Sequence, residues 1–234
     1  MKIIPAIDLM DGQVVRLYKG DPKQKTVYSD NPVEIAQRWV RNGADMLHIV
    51  DLDATLGLGS NLPLIKKIIQ DIEIPVEIAG GLRDEPIIME ASKIADRIVI
   101  GTLAFKDQKV LKELLEKLGS EKIVISVDHK DGKIVTHGWQ KGTEIDLLDA
   151  IKNFIEMGFS EFLLTNVNRD GTLEGPDLKF LEQACSLKAN VIASGGISNI
   201  NDIQDVKEKN SFGVILGKAL YENKISIEEA KKIS

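Results

Sequence analysis

The sequence predicts an α/β protein folded as a single (β/α)8 TIM barrel, on three observations. Short apolar runs alternate with helical stretches along all 234 residues. Most of these runs are continuous rather than polar on every second residue, as parallel strands covered on both faces require. Eight of them in a chain this long fit a closed barrel better than an open sheet. No linker or shift in composition divides the chain, so residues 1–234 read as one domain.

The strand candidates, in order, are 2–7, 46–50, 76–78, 97–100, 123–127, 162–165, 191–193 and 213–216. Helical spacing lies between them at 32–40, 62–69, 85–94, 110–118, 147–157, 178–185 and 203–209. Asn61, Asp84 and Asn201 or Asp202 are placed to cap helix starts, and Gly43 and Gly158 follow helix ends. Segments 19–30 and 166–176 read as long polar loops able to close over a ligand.

Within this order the sequence matches itself. Ile7-Asp8-Leu9-Met10-Asp11-Gly12 returns as Val127-Asp128-His129-Lys130-Asp131-Gly132, 120 positions later. Gly80-Gly81 returns as Gly195-Gly196, Asn42-Gly43 as Met157-Gly158, and Gly101-Thr102 as Gly217-Lys218, at offsets of 115 to 116. These landmarks describe a two-fold internal (βα)4 repeat with half-barrels of about 1–120 and 121–234. A group at the end of strand 1 then has a twin across the barrel mouth, at the end of strand 5.

Composition narrows the function. Thirty-six acidic against 30 basic residues give a formal charge of −6, which argues against a nucleic-acid or membrane-surface binder. The lone Cys185 cannot form an internal disulfide. No apolar run reaches the roughly 18–20 residues of a membrane span. Residues 1–8 lack the apolar stretch of a signal peptide, so a cytoplasmic location is expected. His48, His129 and His137 have no metal-ligand spacing, and neither a metal nor another cofactor is expected. His48 reads as a packed, hydrogen-bonded histidine inside strand 2.

In such barrels the active site lies where the strands end. The residues that follow the strands are Asp8, Asp51 with Asp53, Gly80-Gly81, Gly101, Asp128, Thr165-Asn166, Ser194-Gly195-Gly196 and Gly217. The glycines let backbone approach an anion closely. Helices opening at Thr102 and Lys218 would aim N–H groups at it. The plainer reading of each Gly-Gly pair is a turn, but its recurrence in both halves favours two phosphate sites, at Gly80, Gly81, Gly101 and Thr102 and at Gly195, Gly196, Gly217 and Lys218. The expected partner is a small molecule with a phosphate at each end. Asp8 and Asp128 end apolar strands, which suits an acid–base pair. Asp11 and Asp131, each followed by glycine, suit turns. Trp139 lies in a loop from which it could stack on a planar ligand or shield the mouth. With no partner segment apparent, a monomer is expected.

The chain resembles the HisA isomerase family of histidine biosynthesis along its whole length. The resemblance rests on Ile4-Pro5-Ala6-Ile7-Asp8-Leu9, Asp11-Gly12-Gln13-Val14-Val15-Arg16-Leu17, Gly80-Gly81-Leu82-Arg83-Asp84, His137-Gly138-Trp139, Asp170-Gly171-Thr172 and Ser194-Gly195-Gly196-Ile197-Ser198. It implies an Amadori rearrangement, aminoaldose to 1-amino-ketose, on a substrate phosphorylated at both ends. It implies Asp8 as general base, Asp128 as general acid and Thr165 as an assisting residue. Arg16 and Arg83 match substrate-binding positions, and Trp139 and Asp170 match a mobile covering region. Three alternatives stay open: an isomerase that also accepts phosphoribosylanthranilate, the sister imidazole glycerol phosphate synthase cyclase, and a non-catalytic sensor of phosphorylated ligands. Arg16-Leu17 and His137-Gly138-Trp139 favour the isomerase over the cyclase.

Overall fold

The computed structural model describes residues 1–234. Eight parallel strands form the barrel: β1 (Lys2–Met10), β2 (Leu47–Asp51), β3 (Val76–Ala79), β4 (Arg97–Ile100), β5 (Ile123–Ser126), β6 (Glu161–Thr165), β7 (Asn190–Ser194) and β8 (Gly213–Leu216). They pair in chain order, and β8 closes onto β1 with Lys2 opposite Gly213 and Pro5 opposite Leu216. The outer helices are α1 (Pro32–Arg41), α2 (Leu62–Gln70), α3 (Glu85–Ser92), α4 (Gln108–Leu118), α5 (Leu147–Glu156), α6 (Leu178–Cys185), α7 (Ile200–Glu208) and α8 (Ile227–Ile233). Each strand followed by a helix, closed into a ring, is the (β/α)8 barrel that the alternating pattern predicts. No helix is long and apolar enough to cross a membrane.

Side chains alternate along a strand, which sorts the core into two parts. Ile3, Ile7, Ile49, Ile78, Ile98 and Ile125 belong to the large cluster shared with the helices. Inside the barrel a smaller set packs together, with Ala6, Val99, Leu163, Ile192 and Ile215 among its members. One inward step further along the same strands come Asp8, Gly101, Thr165, Ser194 and Gly217. The pleat therefore carries these residues to the barrel mouth, on rigid strands rather than on loose loops.

Several local expectations need correction. β1 does not stop before Asp8 but runs to Met10, because a strand at Gln13–Tyr18 folds back on it and places Asp8 opposite Val15. Segment 19–30 is mostly a strand, Asp21–Ser29, paired with Gln13–Tyr18. Its exposed, lysine-containing face hid it from a search for apolar runs. The strand at Lys141–Asp146 was missed for a similar reason, and its partner Lys133–Thr136, though mostly buried, was missed with it. Asn61 makes no side-chain cap. The cap of α7 is Asn199, with Asp202 closing the capping box from inside the helix. Helix α8 escaped the periodicity search because it has only seven residues, although Ser226 and Glu229 form its capping box. Asp84 does cap α3, accepting from the Ile87 N–H. Gly43 and Gly158 follow helix ends at φ 95° and 102°.

Matching positions in the two halves have similar backbone angles. Gly80 and Gly195 have φ of 92° and 91°, and Asp11 and Asp131 have 53° and 52° in their hairpin turns. Gly101 and Gly217 precede short helices at Thr102–Lys106 and Lys218–Tyr221.

Candidate active site

Asp8 is 9% exposed, and its Oδ2 accepts from Arg16 Nη1 at 2.9 Å. The fold-back of Gln13–Tyr18 against β1 brings these side chains together. The other terminal nitrogen of Arg16 lies 3.5 Å from Asp170 Oδ1. Burial alone would lower the pKa of the guanidinium, but Asp8 and Asp170 raise it above its ordinary value. Arg16 is therefore a permanent buried cation shared by two carboxylates.

Asp128 has a different setting. Its Oδ1 accepts from Ser126 Oγ at 3.0 Å, two residues back on the same inner face. Burial pushes its carboxyl above the usual aspartate range, and Trp139, Ser126 and Thr165 oppose the shift only in part. Asp170 is also raised, by burial first and then by Asp8 and Asp128, against the pull of Arg16. The mouth thus holds Asp8 and Asp170 beside the Arg16 guanidinium and Asp128 without such a partner, with burial raising Asp128 and Asp170.

A small cleft opens beside this group, lined by Arg16, Asp170, Gly195, Gly196, Gly217 and Lys218 among others. Lys218 Nζ donates to the Gly171 carbonyl at its edge, at 3.1 Å. Gly196 has φ 86°, and a Cβ there would strike the Gly175 carbonyl. At Gly217 a Cβ would run into the Arg16 guanidinium, 2.6 Å away. Small residues here admit the Gly175 backbone and the Arg16 side chain.

The opposite side is arranged differently. Gly80 and Gly81 leave room for the backbone of Asp51 and Ala54, where a Cβ would collide. Thr102 Oγ1 accepts from the His137 N–H at 2.8 Å, which ties segment 137–139 over this side. His137, Gly138 and Trp139 all adopt left-handed φ, of 58°, 62° and 68°. The Trp139 ring lies against Gly20, where even a methyl group would clash. Arg83 Nη2 donates to the carbonyls of Ala54 and Thr55, at 3.1 and 2.6 Å, and so caps the C-terminal end of the short helix Leu52–Leu56.

Asp8, Arg16, Asp128, Thr165, Trp139 and Asp170 thus converge on the mouth. Gly195, Gly196, Gly217 and Lys218 line the adjoining cleft, whereas Gly80, Gly81, Gly101, Thr102 and Arg83 lie on the other side. Asp51 and Asp53 have structural work: Asp51 Oδ2 accepts from the Asn61 N–H at 2.7 Å, and Asp53 Oδ2 from the Asp11 N–H at 2.8 Å. Ser126 went unnoticed in the sequence. Its position two residues before Asp128 on an inward face was the available signal.

Residues 2–226 match the profile of the histidine biosynthesis protein family. The chain is 70% identical over 234 residues, all of it and 99% of the relative, to a Nitrosopumilus maritimus protein named 1-(5-phosphoribosyl)-5-((5-phosphoribosylamino)methylideneamino) imidazole-4-carboxamide isomerase. A Cenarchaeum symbiosum protein of the same name is 56% identical over 98% of this chain and 99% of its own. One from Lactococcus lactis is 44% identical over 98% of each. A barrel with paired aspartates at its mouth, matched end to end by such relatives, places this chain in the histidine biosynthesis protein family.

Proposed function

We propose that the chain is an aldose–ketose isomerase performing the Amadori rearrangement of the bis-phosphorylated aminoaldose in the relatives' name, as a cytoplasmic monomer. One observation carries this reading: two aspartates face one site, one paired with a buried cation and the other raised by burial. That difference is what separates a base from an acid.

In this account Asp128 gives its proton to the ring oxygen as the furanose C1′–O bond breaks, leaving an iminium. Asp8 removes the C2′ proton, the electron pair forms an enolamine, and a proton returns to C1′ as the C2′ hydroxyl gives up its own, which delivers the ketone. Thr165 holds Asp128 from β6. One substrate phosphate lies in the cleft at Gly195, Gly196, Gly217 and Lys218, and the other near Gly80, Gly81, Gly101 and Thr102. Trp139 covers the sugar from segment 137–139, which keeps water from the iminium. Arg83, held by its Nη2 on the carbonyls of Ala54 and Thr55, keeps Nη1 and Nε for the substrate. A second reading gives the acid role to Asp170, because its carboxyl is raised as well and lies near Arg16.

The test is turnover of purified protein on the histidine-pathway aminoaldose and, separately, on phosphoribosylanthranilate. Turnover of the first alone supports a dedicated isomerase, and turnover of both a dual-substrate one. Turnover of neither rejects the reading and leaves the cyclase or the sensor.

A further inference from the structure

A line of polar side chains, buried except for Asn190 at its outer end, crosses the barrel interior from β7 to β2, and the steps above use none of it. Asn190 Nδ2 donates to Glu161 Oε1 at 2.6 Å, and Glu161 Oε2 pairs with Arg97 Nη2. Arg97 Nε lies 4.0 Å from Glu77 Oε2. Glu77 Oε1 is 2.7 Å from His48 Nδ1. Strand register stacks these groups: His48 is opposite Glu77, and Glu77 is opposite Arg97. Glu77 is wholly buried, and His48, Arg97 and Glu161 are each less than a tenth exposed.

Burying these groups is costly. An apolar replacement of similar volume is often as stable as a buried ion pair, so stability alone is a weak reason for the line. Its upper end shows where it leads. His48 lies opposite Ala6, one inward step below Asp8. With Nδ1 turned to Glu77, the Nε2 edge of the ring points away from that carboxylate.

We propose that Glu77, steadied by Arg97, is a positioning residue that fixes the His48 ring with its proton on Nδ1. Nε2 is then free to accept a hydrogen bond from a hydroxyl at the reacting end of the sugar. A histidine has two tautomers, and a carboxylate acceptor at one nitrogen selects between them. This rests on the isomerase reading above and adds a third polar contact, from the barrel floor, to the two aspartates.

Four measurements test it together. In wild-type protein labelled at the histidine nitrogens, NMR should find the His48 proton on Nδ1 and none on Nε2. Glu77→Leu should lower kcat on the aminoaldose about tenfold to a hundredfold, the loss of one well-placed hydrogen bond, with KM little changed. Glu77→Gln, which keeps an acceptor for Nδ1–H, should restore most of that loss. In a His48→Ala background Glu77→Leu should have no further effect on kcat. A proton on Nε2 would overturn the proposal, as would an equal loss from Glu77→Leu with and without His48. If Glu77→Leu does not fold, the tautomer and Glu77→Gln decide. If wild-type protein fails to turn over the aminoaldose, the isomerase reading falls, and the tautomer alone decides whether Glu77 orients His48.

Discussion

Asp8 and Asp128 reach the barrel mouth from β1 and β5, 120 positions apart in sequence. Asp8 meets the Arg16 guanidinium at 2.9 Å, delivered by a hairpin strand that folds back on β1. Asp128 meets the Ser126 hydroxyl, with Trp139 and Thr165 nearby, and its carboxyl is raised by burial. The strands place like residues in like positions, and the excursions that follow them make those residues chemically different. The glycine pairs teach the same lesson. The side with Gly195 and Gly196 borders an open cleft, while on the side with Gly80 and Gly81 segment 137–139 is tied to Thr102.

The largest expected effect breaks the aspartate pair. Asp8→Asn and Asp128→Asn should each lower kcat by about 10²–10⁴-fold, the usual contribution of a general acid or base, with smaller changes in KM. Steady-state kinetics on the aminoaldose checks this, and near-native turnover in both variants would remove the acid–base account. Next comes Arg16→Lys. An ammonium cannot span Asp8 and Asp170 as the guanidinium does, so kcat/KM should fall tenfold or more. An unchanged value would mean that the shared cation is irrelevant to the base.

Gly196→Ala should destabilise by about 2–4 kcal/mol, combining left-handed strain with overpacking against the Gly175 carbonyl. Gly43→Ala, with φ 95° and nothing within 4 Å, should cost only about 1–2 kcal/mol of that strain. Urea unfolding separates the two, and equal costs would mean that Gly196 is needed for its backbone angle alone. The smallest effect is the most specific. Asp128 binds its proton more tightly folded than unfolded, so ionising it destabilises the fold. Asp128→Asn should therefore raise Tm at pH 7, and the gain should vanish as pH falls below the ordinary aspartate value of about 3.9.

Much of the barrel was legible because each parallel strand is a short apolar run buried on both faces, and seven of the eight were placed within a residue at each end. The excursions were not. Asp21–Ser29 is an exposed edge strand with an unremarkable pattern, and only its pairing with Gln13–Tyr18 identifies it. In the site, Asp8 and Asp128 stood out as carboxyls on apolar strands. Arg16 could be named only through the family resemblance, since its bond to Asp8 depends on a hairpin register that no local pattern specifies. Trp139 was readable as a loop aromatic, but three successive left-handed residues, two of them not glycine, give no clear signal in sequence. Glu77 and Arg97 gave no signal in the sequence, and only the register of β2, β3 and β4 sets Glu77 between His48 and Arg97.

In the proposed reaction Asp128, raised by burial, is the acid and Asp8, beside Arg16, the base. The most direct measurement is kcat/KM on the aminoaldose against pH for wild type, Asp128→Asn and Asp170→Asn. In wild type, activity should fall as pH rises through the raised carboxyl value, because the acid must carry its proton. That fall should be absent from the residual rate of Asp128→Asn and remain in Asp170→Asn. A fall that survives in Asp128→Asn and disappears in Asp170→Asn would contradict the claim and move the acid to the loop after β6.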